Sequence, residues 1–247
     1  MTDGKNYLYC SGMQLLPIKT RRLQPPQDDL ATAIMAEQPT VQTGDVFLVS
    51  AKVVAIDEGQ CWPIASTDKQ ELVDRQAEIK IPRSYWSFDL IITRHTFLSA
   101  AGVDESNGAG YYIGLPTDCM QSAAGLRAKL QKHFGVDQLG VIIVDSHSQP
   151  FRYGATGVAL GWSGIAPLQD HRGRTDLFGR TVKVERSNVV DGLAAAATGV
   201  MGEVDEQTPV VIAHDVPGLT YTERTQEADL FASYHDDTFR VLYERWL

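Results

Sequence analysis

With 247 residues, 43% of them hydrophobic, the chain can bury a substantial core as one compact domain or two closely fused lobes, and it is too apolar to be disordered. A formal net charge of -9 argues against a nucleic-acid binder held by general phosphate attraction, which needs a concentrated basic surface. No stretch approaches the roughly twenty apolar residues of a membrane-spanning helix, and MTDGKNYLYC lacks the basic flank and apolar core of a signal peptide, so a soluble, cytoplasmic protein with no membrane partner is expected.

In chain order, YLYCSGMQLLPIKTRR alternates loosely and meets a proline, which predicts an edge strand running into a loop. Apolar residues at helical spacing predict a helix from Asp28 to Ala36. VQTGDVFLVSAKVVAI then reads as a Gly-Asp turn and one strongly β-prone stretch, placing Ser50, Lys52 and Asp57 near strand ends. DKQELVDRQAEI is a short helix, followed by an aromatic loop around Tyr85, Trp86 and Phe88. DLIITRHTFL is read as a strand, and AAGVDESNGAGYY as a shaped loop, since its small, acidic and glycine residues cannot pack a core.

The longest helix is predicted over Thr117 to His133, capped by Thr117 or Asp118. LGVIIVDS is the clearest buried strand. SHSQPFRYGATG and the glycine-rich GWSGIAPLQDHRGRTDLFGR are read as loop. TVKVERS is a strand candidate, NVVDGLAAAATGVMG a helix and TPVVIAHDV a strand, before an amphipathic terminal segment from Glu223. Strands alternating with helices predict a mixed α/β (α+β) fold, with strand sense undecided. It is non-Rossmann and without a P-loop, because neither GxGxxG nor GxxxxGK[ST] occurs.

Asp104 stands in GVDESN, where an Asx-rich turn competes with a metal or phosphate site. Asp145 and Ser146 close the buried strand and can present hard oxygens in a fixed direction, the chemistry that magnesium or manganese prefers. Glu203 either caps the small-residue helix or completes a second metal site. Lys52, Lys19 and Arg152 are candidate phosphate or carboxylate neutralisers, with snorkelling and structural ion pairs as the alternatives. His95 is a candidate for amine deprotonation, or else a satisfied strand-edge histidine. Asp170 and Asp176 fit an ion-paired loop at least as well as a paired-carboxylate site. Cys10, Cys61 and Cys119 are odd in number and widely spaced, which suits reduced thiols without a functional role.

These segments resemble the coenzyme F420-0:γ-glutamyl ligase family. The resembling blocks are LPIK at 16 to 19, GDVFLVSAKVVAIDEG at 44 to 59, AAGVDESN at 100 to 107, and GVIIVDS with PFRYG at 140 to 154. GIAPLQDHRGRTDLFGR at 164 to 180 and NVVDGLAAAATGVMGE with TPVVI follow in the same order. The LPIKTR, AIDEG, TGVALG, DLFGR and EQTP combination is similar to an offshoot described as a folate-metabolism γ-glutamate ligase.

The resemblance implies that fold over residues 1–222, with 223–247 as a C-terminal helical segment. It also implies a homodimer that joins L-glutamate to a carboxylate acceptor through an acyl phosphate. Mg2+ or Mn2+ would assist, with GTP or ATP as cosubstrate. The acceptor would be folate-like; the alternatives are a GTP-dependent coenzyme F420-0:L-glutamate ligase and a non-catalytic nucleotide or metal sensor.

Carried over by residue, Asp104 and Asp145 resemble ligands of a first metal. Ser146 and Glu203 resemble those of a second, at places where threonine and glutamine are usual. Leu16, Pro17, Ile18, Lys19, Ser50 and Asn107 resemble nucleotide contacts. So does the segment Met201, Gly202, Glu203, Val204, Asp205, Glu206, Gln207 and Thr208. The chain departs from the pattern at Ile56-Asp57, or Ala55-Ile56, where Ser-Lys is usual, and at Ser148-Gln149, where Gly-Arg is usual.

Overall fold

The computed structural model describes residues 12–82 and 89–247. The predicted aromatic loop at Tyr85, Trp86 and Phe88 lies outside them, as does Cys10. The first half of the chain forms β1 (Gln14–Ile18), α1 (Leu30–Ala36), β2 (Asp45–Ser50), α2 (Ala51–Asp57), β3 (Cys61–Pro63), α3 (Lys69–Gln76), β4 (Ile79–Ile81), β5 (Leu90–Thr93), β6 (Thr96–Phe97) and β7 (Tyr111–Ile113). The second half forms α4 (Cys119–Phe134), β8 (Leu139–Ser148), β9 (Ala155–Ser163), β10 (Leu168–Asp170), β11 (Arg186–Asn188), α5 (Val189–Met201) and β12 (Val210–His214). No helix among the described residues is long and apolar enough to cross a membrane.

The main sheet has the order β1-β12-β2-β8-β9, and the strand sense left open by the sequence is mixed: β2 and β8 run parallel, while every other pair is antiparallel. Its central strands read as unbroken apolar runs because both faces are covered. Along β2, Phe47 and Val49 face α1 and α4, meeting Leu30, Ile34, Ala123 and Leu130. Val46 and Leu48 face α5, meeting Val190, Leu193, Ala194 and Ala197. Each such side chain contributes about 1.5–3 kcal/mol by leaving water.

Helix limits follow local chemistry. The Asp118 carboxylate accepts the Gln121 N–H and starts α4, and Gly135, at a φ of 67°, ends it. Asn188 caps α5 by accepting the Asp191 N–H, and Gly202 ends it at a φ of 77°.

The β-prone stretch through Ile56 is not one strand. The ladder stops at Ser50, whose N–H donates to the Pro209 carbonyl at 2.9 Å, and the chain turns into α2, which buries Val54, Ala55 and Ile56. Burial of one helical face overrides β-branched propensity there. DLIITRHTFL is a hairpin rather than a strand: Arg94 and His95 both take positive φ, 50° and 56°, as a tight turn requires. β9 occupies residues read as loop, and of TVKVERS only Arg186 and Ser187 enter a strand, β11. The terminal segment forms three single 3-10 turns instead of a helix, and Tyr243 is its buried anchor against Ile79, Ile81 and Ile92.

Candidate functional site

Because β2 and β8 are parallel, their carboxyl ends emerge side by side, with Ser50 opposite Val144. β12 enters the sheet at that same edge, and β1 leaves it there, Ile18 pairing with Val210. Four connections therefore meet beyond one sheet edge, the usual place for ligands in open α/β sheets. A fifth, the loop 99–107, is hung over them by two hydrogen bonds: Asp104 N–H to the Ile113 carbonyl at 2.9 Å and Ile113 N–H to that of Asp104 at 2.8 Å. Together they enclose a cavity of about 730 Å³, within the range of small-molecule sites.

Asp104 does two jobs at once. Its Oδ1 accepts the Glu105 and Ser106 N–H groups in an Asx turn, while Oδ2 takes Lys52 Nζ at 2.6 Å and the Ser106 hydroxyl at 2.5 Å. Burial works to raise its carboxyl, but the hydrogen bonds from Lys52 and Ser106 outweigh it and hold the group well below the ordinary carboxylate range. Asp145 is the opposite case. Burial pushes it up to about 6, against the Ser146 N–H and Lys52, which stabilise its charge; Asp104 and Glu203 add to the rise.

The loop after α5 forms the facing wall. Asn107 Nδ2 donates to the Val204 carbonyl at 2.8 Å, Gln207 Nε2 to the Thr20 carbonyl at 2.6 Å, and Thr208 Oγ1 to the Met201 carbonyl at 2.6 Å. Glu206 accepts the Val204 N–H at 2.9 Å and packs where any Cβ on Gly202 would have to stand. Among the described residues no three His, Cys, Asp or Glu groups form a ready-made metal cluster. The donor set nevertheless fits a hard divalent cation: carboxylates of Asp104, Asp145 and Glu203 line one cavity, Lys52 supplies positive charge at Asp104, and both Asp104 and Glu203 disfavour the charge on Asp145.

Of the residues singled out by sequence, the cavity gathers Ser50, Lys52, Asp104, Asn107, Asp145, Ser146 and the whole of Met201 to Thr208. It leaves out Leu16, Pro17, Ile18 and Lys19, which belong to or border the edge strand β1; the lining begins at Thr20. His95 is also outside, at the hairpin tip, its ring stacked on Phe231 at 4.9 Å and Tyr234 at 5.1 Å. Arg152 sits in the exposed β8–β9 loop, donating to the neighbouring Phe151 carbonyl. Asp170 pairs with Arg172, and Asp176 accepts the Phe178 and Arg180 N–H groups, the ion-paired loop of the blander expectation.

Sequence reading missed Arg21, Arg22 and Lys69, all of which line the cavity. The arginines follow the LPIK block after a single residue, Thr20, so extending that block would have found them. Lys69 lies on a short polar helix and carries no such signal.

The family model described as F420-0:Gamma-glutamyl ligase matches residues 17–215. A coenzyme F420:L-glutamate ligase of Methanopyrus kandleri is 40% identical over 219 residues, covering 81% of this chain and 86% of that protein. The protein of the same description from Methanothermobacter thermautotrophicus is 32% identical over 250 residues, covering 89% and 99%. That from Halobacterium salinarum is 33% identical over 242 residues, covering 89% and 92%.

Proposed function

The chain belongs to the F420-0:gamma-glutamyl ligase family and is a γ-glutamyl ligase; from that premise we propose that it joins L-glutamate to a carboxyl group of a phosphorylated deazaflavin acceptor of F420 type, consuming GTP. The relatives' descriptions favour this acceptor over the folate-like one expected first, and a ligase over a non-catalytic sensor. The observation that carries the reading is the gathering of Lys52, Asp104, Asp145 and Glu203 at the carboxyl ends of β2 and β8.

In this reaction an acceptor carboxylate oxygen attacks the terminal phosphorus and the bond to the bridging oxygen breaks, leaving its electron pair on the nucleoside diphosphate. The glutamate amine then attacks the acyl carbon of the mixed anhydride. Inorganic phosphate departs and the surplus amine proton passes to water. Asp104, Asp145 and Glu203, with Ser146 beside them, would hold Mg2+ or Mn2+, which neutralises phosphate charge and stabilises the charge that develops during transfer. Lys52 stands at the same place and would meet the terminal phosphate from the protein side. The loop 201–208, tied to Asn107 and Thr20, restricts water at the mixed anhydride.

The position where Ser-Lys is usual bears on substrate choice. Ile56 lines the cavity, whereas Asp57 faces away and caps α1 by accepting the Leu30 N–H at 2.8 Å. The homodimer belongs to the same proposal: Phe151, Tyr153, Leu177 and Phe178 are almost fully exposed, as interface side chains of a separated protomer are. Light scattering would weigh the assembly.

Incubation with F420-0, L-glutamate, divalent metal and either GTP or ATP, read by mass spectrometry, tests the reaction. A gain of one glutamyl residue on the deazaflavin is expected. A gain on reduced folate alone would reject it.

A further inference from the structure

The Asp104 carboxylate is fully engaged. A carboxylate offers about four lone-pair positions. Four donors hold this one: the Glu105 N–H at 2.7 Å and the Ser106 N–H at 3.1 Å on Oδ1, with Lys52 Nζ at 2.6 Å and the Ser106 hydroxyl at 2.5 Å on Oδ2. Lys52 is equally full. An ammonium group has three N–H donors, and the partners here are Asp104 Oδ2, the Ser106 carbonyl at 3.0 Å and Ser106 Oγ at 2.8 Å. Ser106 therefore holds both charged groups, donating to one and accepting from the other.

The chain on either side builds this double hold. Lys52 rises from the first turn of α2, which buries Val54, Ala55 and Ile56 at the end of β2. After Ser106, Asn107 takes a φ of 56° and donates to the Val204 carbonyl. A Cβ at Gly108 would stand 2.2 Å from the Tyr111 carbonyl oxygen, so the loop closes this tightly only with glycine there. The result is a turn that presents both oxygens of Ser106 to one ammonium group.

We infer that Ser106 is a positioning residue for Lys52: it keeps the ammonium group in the cavity when Asp104 gives Oδ2 to a divalent cation, and the N–H released by that exchange is the one that meets the terminal phosphate. This rests on the ligase reading for the cation and the phosphate. The order follows from the donors present. One of them must leave Oδ2 to make room for a cation, and the ammonium group leaves because like charges repel, whereas the neutral hydroxyl stays. Lys52 then keeps two of its three bonds, both to Ser106, and has one N–H to give. The hydroxyl is the half of this hold that a side-chain substitution removes.

A purely structural role, in which Ser106 fastens the loop to α2, makes a different prediction, and a double-mutant cycle of Ser106→Ala and Lys52→Met separates the two. Binding of a GTP analogue with an imido bridge between its β and γ phosphates is measured by calorimetry, with Mn2+ and again with metal chelated. Turnover is measured with F420-0, L-glutamate and GTP. With Mn2+, Ser106→Ala should weaken analogue binding by about fivefold, the worth of one net hydrogen bond, and Ser106→Thr should recover most of the loss. In the Lys52→Met background Ser106→Ala should change analogue binding and kcat by less than about twofold. With metal chelated, Ser106→Ala and wild type should agree within about twofold or both fall below detection, since Asp104 then still holds Lys52.

Equal losses in the two Lys52 backgrounds would show that Ser106 only shapes the loop and would overturn the inference. A loss of the same size without metal, no loss at all, or a wild type that does not bind the analogue with Mn2+ would overturn it as well. If the cycle behaves as expected but no glutamate reaches F420-0, the ligase reading fails and the positioning role stands. If glutamate is transferred and the two substitutions act additively, the positioning role fails and the ligase reading stands. Ser106 is exposed, and the thermal midpoint of each variant shows whether it is folded.

Discussion

Lys52 and Asp104 lie 52 residues apart in the chain and 2.6 Å apart in the fold, so the carboxylate best placed to take a divalent cation already holds an ammonium group. The two positive charges compete for one oxygen. Replacing Lys52 with Met keeps the stem and removes the competitor. Such a partly buried, solvent-screened pair is worth about 1 kcal/mol, which corresponds to roughly fivefold tighter Mn2+ binding in the metal-only titration. Turnover should fall by at least about tenfold, since the terminal phosphate loses a neutralising group. Weaker Mn2+ binding in Lys52→Met would show that the lysine supports the metal instead of excluding it.

Asp145 gives the pH dependence. Its carboxyl is pushed up to about 6 from the ordinary 3.8, chiefly by burial, so the folded chain holds this proton more tightly than the unfolded chain does. The sign follows: with metal chelated, its contribution to stability is greatest below about pH 4, is lost as pH rises to about 6, and stays lost above. Asp145→Asn removes the charge and keeps the oxygen that accepts the Ser146 N–H. The chelated variant should be more stable than wild type at pH 7.5 by on the order of 1–2 kcal/mol, after allowance for solvent screening. It should also have lost metal-dependent turnover. In the wild type, Mn2+ affinity should weaken by about tenfold per unit below pH 6, because the ligand must be ionised. A pH-independent Mn2+ affinity between 5 and 7 would remove Asp145 from the ligand set.

The carboxylates were legible because they close or follow segments whose patterns are strong: LGVIIVDS is buried on both faces, and NVVDGLAAAATGVMG has a cap and a glycine stop. His95 and Arg152 stayed open between a site role and a structural one for the opposite reason. Each is a polar residue near an aromatic or glycine-rich turn, and only tertiary packing decides that Phe231 and Tyr234 cover the first while the second points into a loop. β9 was read as loop because its glycines look like punctuation, although they are there for close packing. The Arg94-His95 turn carries no Asn-Gly or Asp-Gly signal, so nothing in the sequence divides DLIITRHTFL.

Asn107 ties the two loops that bring Asp104 and Glu203 into the cavity, through its 2.8 Å bond to the Val204 carbonyl. It also sits at a φ of 56°, a conformation asparagine and glycine tolerate better than alanine. Asn107→Gly therefore deletes the tie without adding backbone strain, and Asn107→Ala deletes it and adds strain. Both should raise the KM for GTP by about fivefold, the worth of one net hydrogen bond, and speed amide exchange at residues 203–206. Only Asn107→Ala should also lower the thermal midpoint appreciably. Unchanged exchange in both variants would mean that the loop is held by Gln207 and Thr208 alone.

Gly157 and Gly161 show how β9 lets helices approach both faces of the sheet. A Cβ at Gly157 would come within 2.2 Å of the Ala194 carbonyl oxygen on α5, and one at Gly161 within 2.5 Å of the Cys119 backbone on α4. The two glycines are four residues apart and would share a face in a regular strand. They do not, because Val144 pairs with Ala159 and Ile143 with Gly161, leaving Leu160 as an extra residue that turns the face. Both obstacles are backbone, so alanine cannot be accommodated by a rotamer change, and each substitution should cost about 1–3 kcal/mol by overpacking. The consequences for function should differ. Pushing α5 away displaces the loop that begins at Gly202, so Gly157→Ala should raise the KM for GTP at temperatures where the protein is still folded. Gly161→Ala acts at the start of α4, whose first residues do not line the cavity, and should lower the denaturant midpoint while leaving that KM within about twofold. Equal effects of the two variants on KM would break the link between the seating of α5 and the shape of the site.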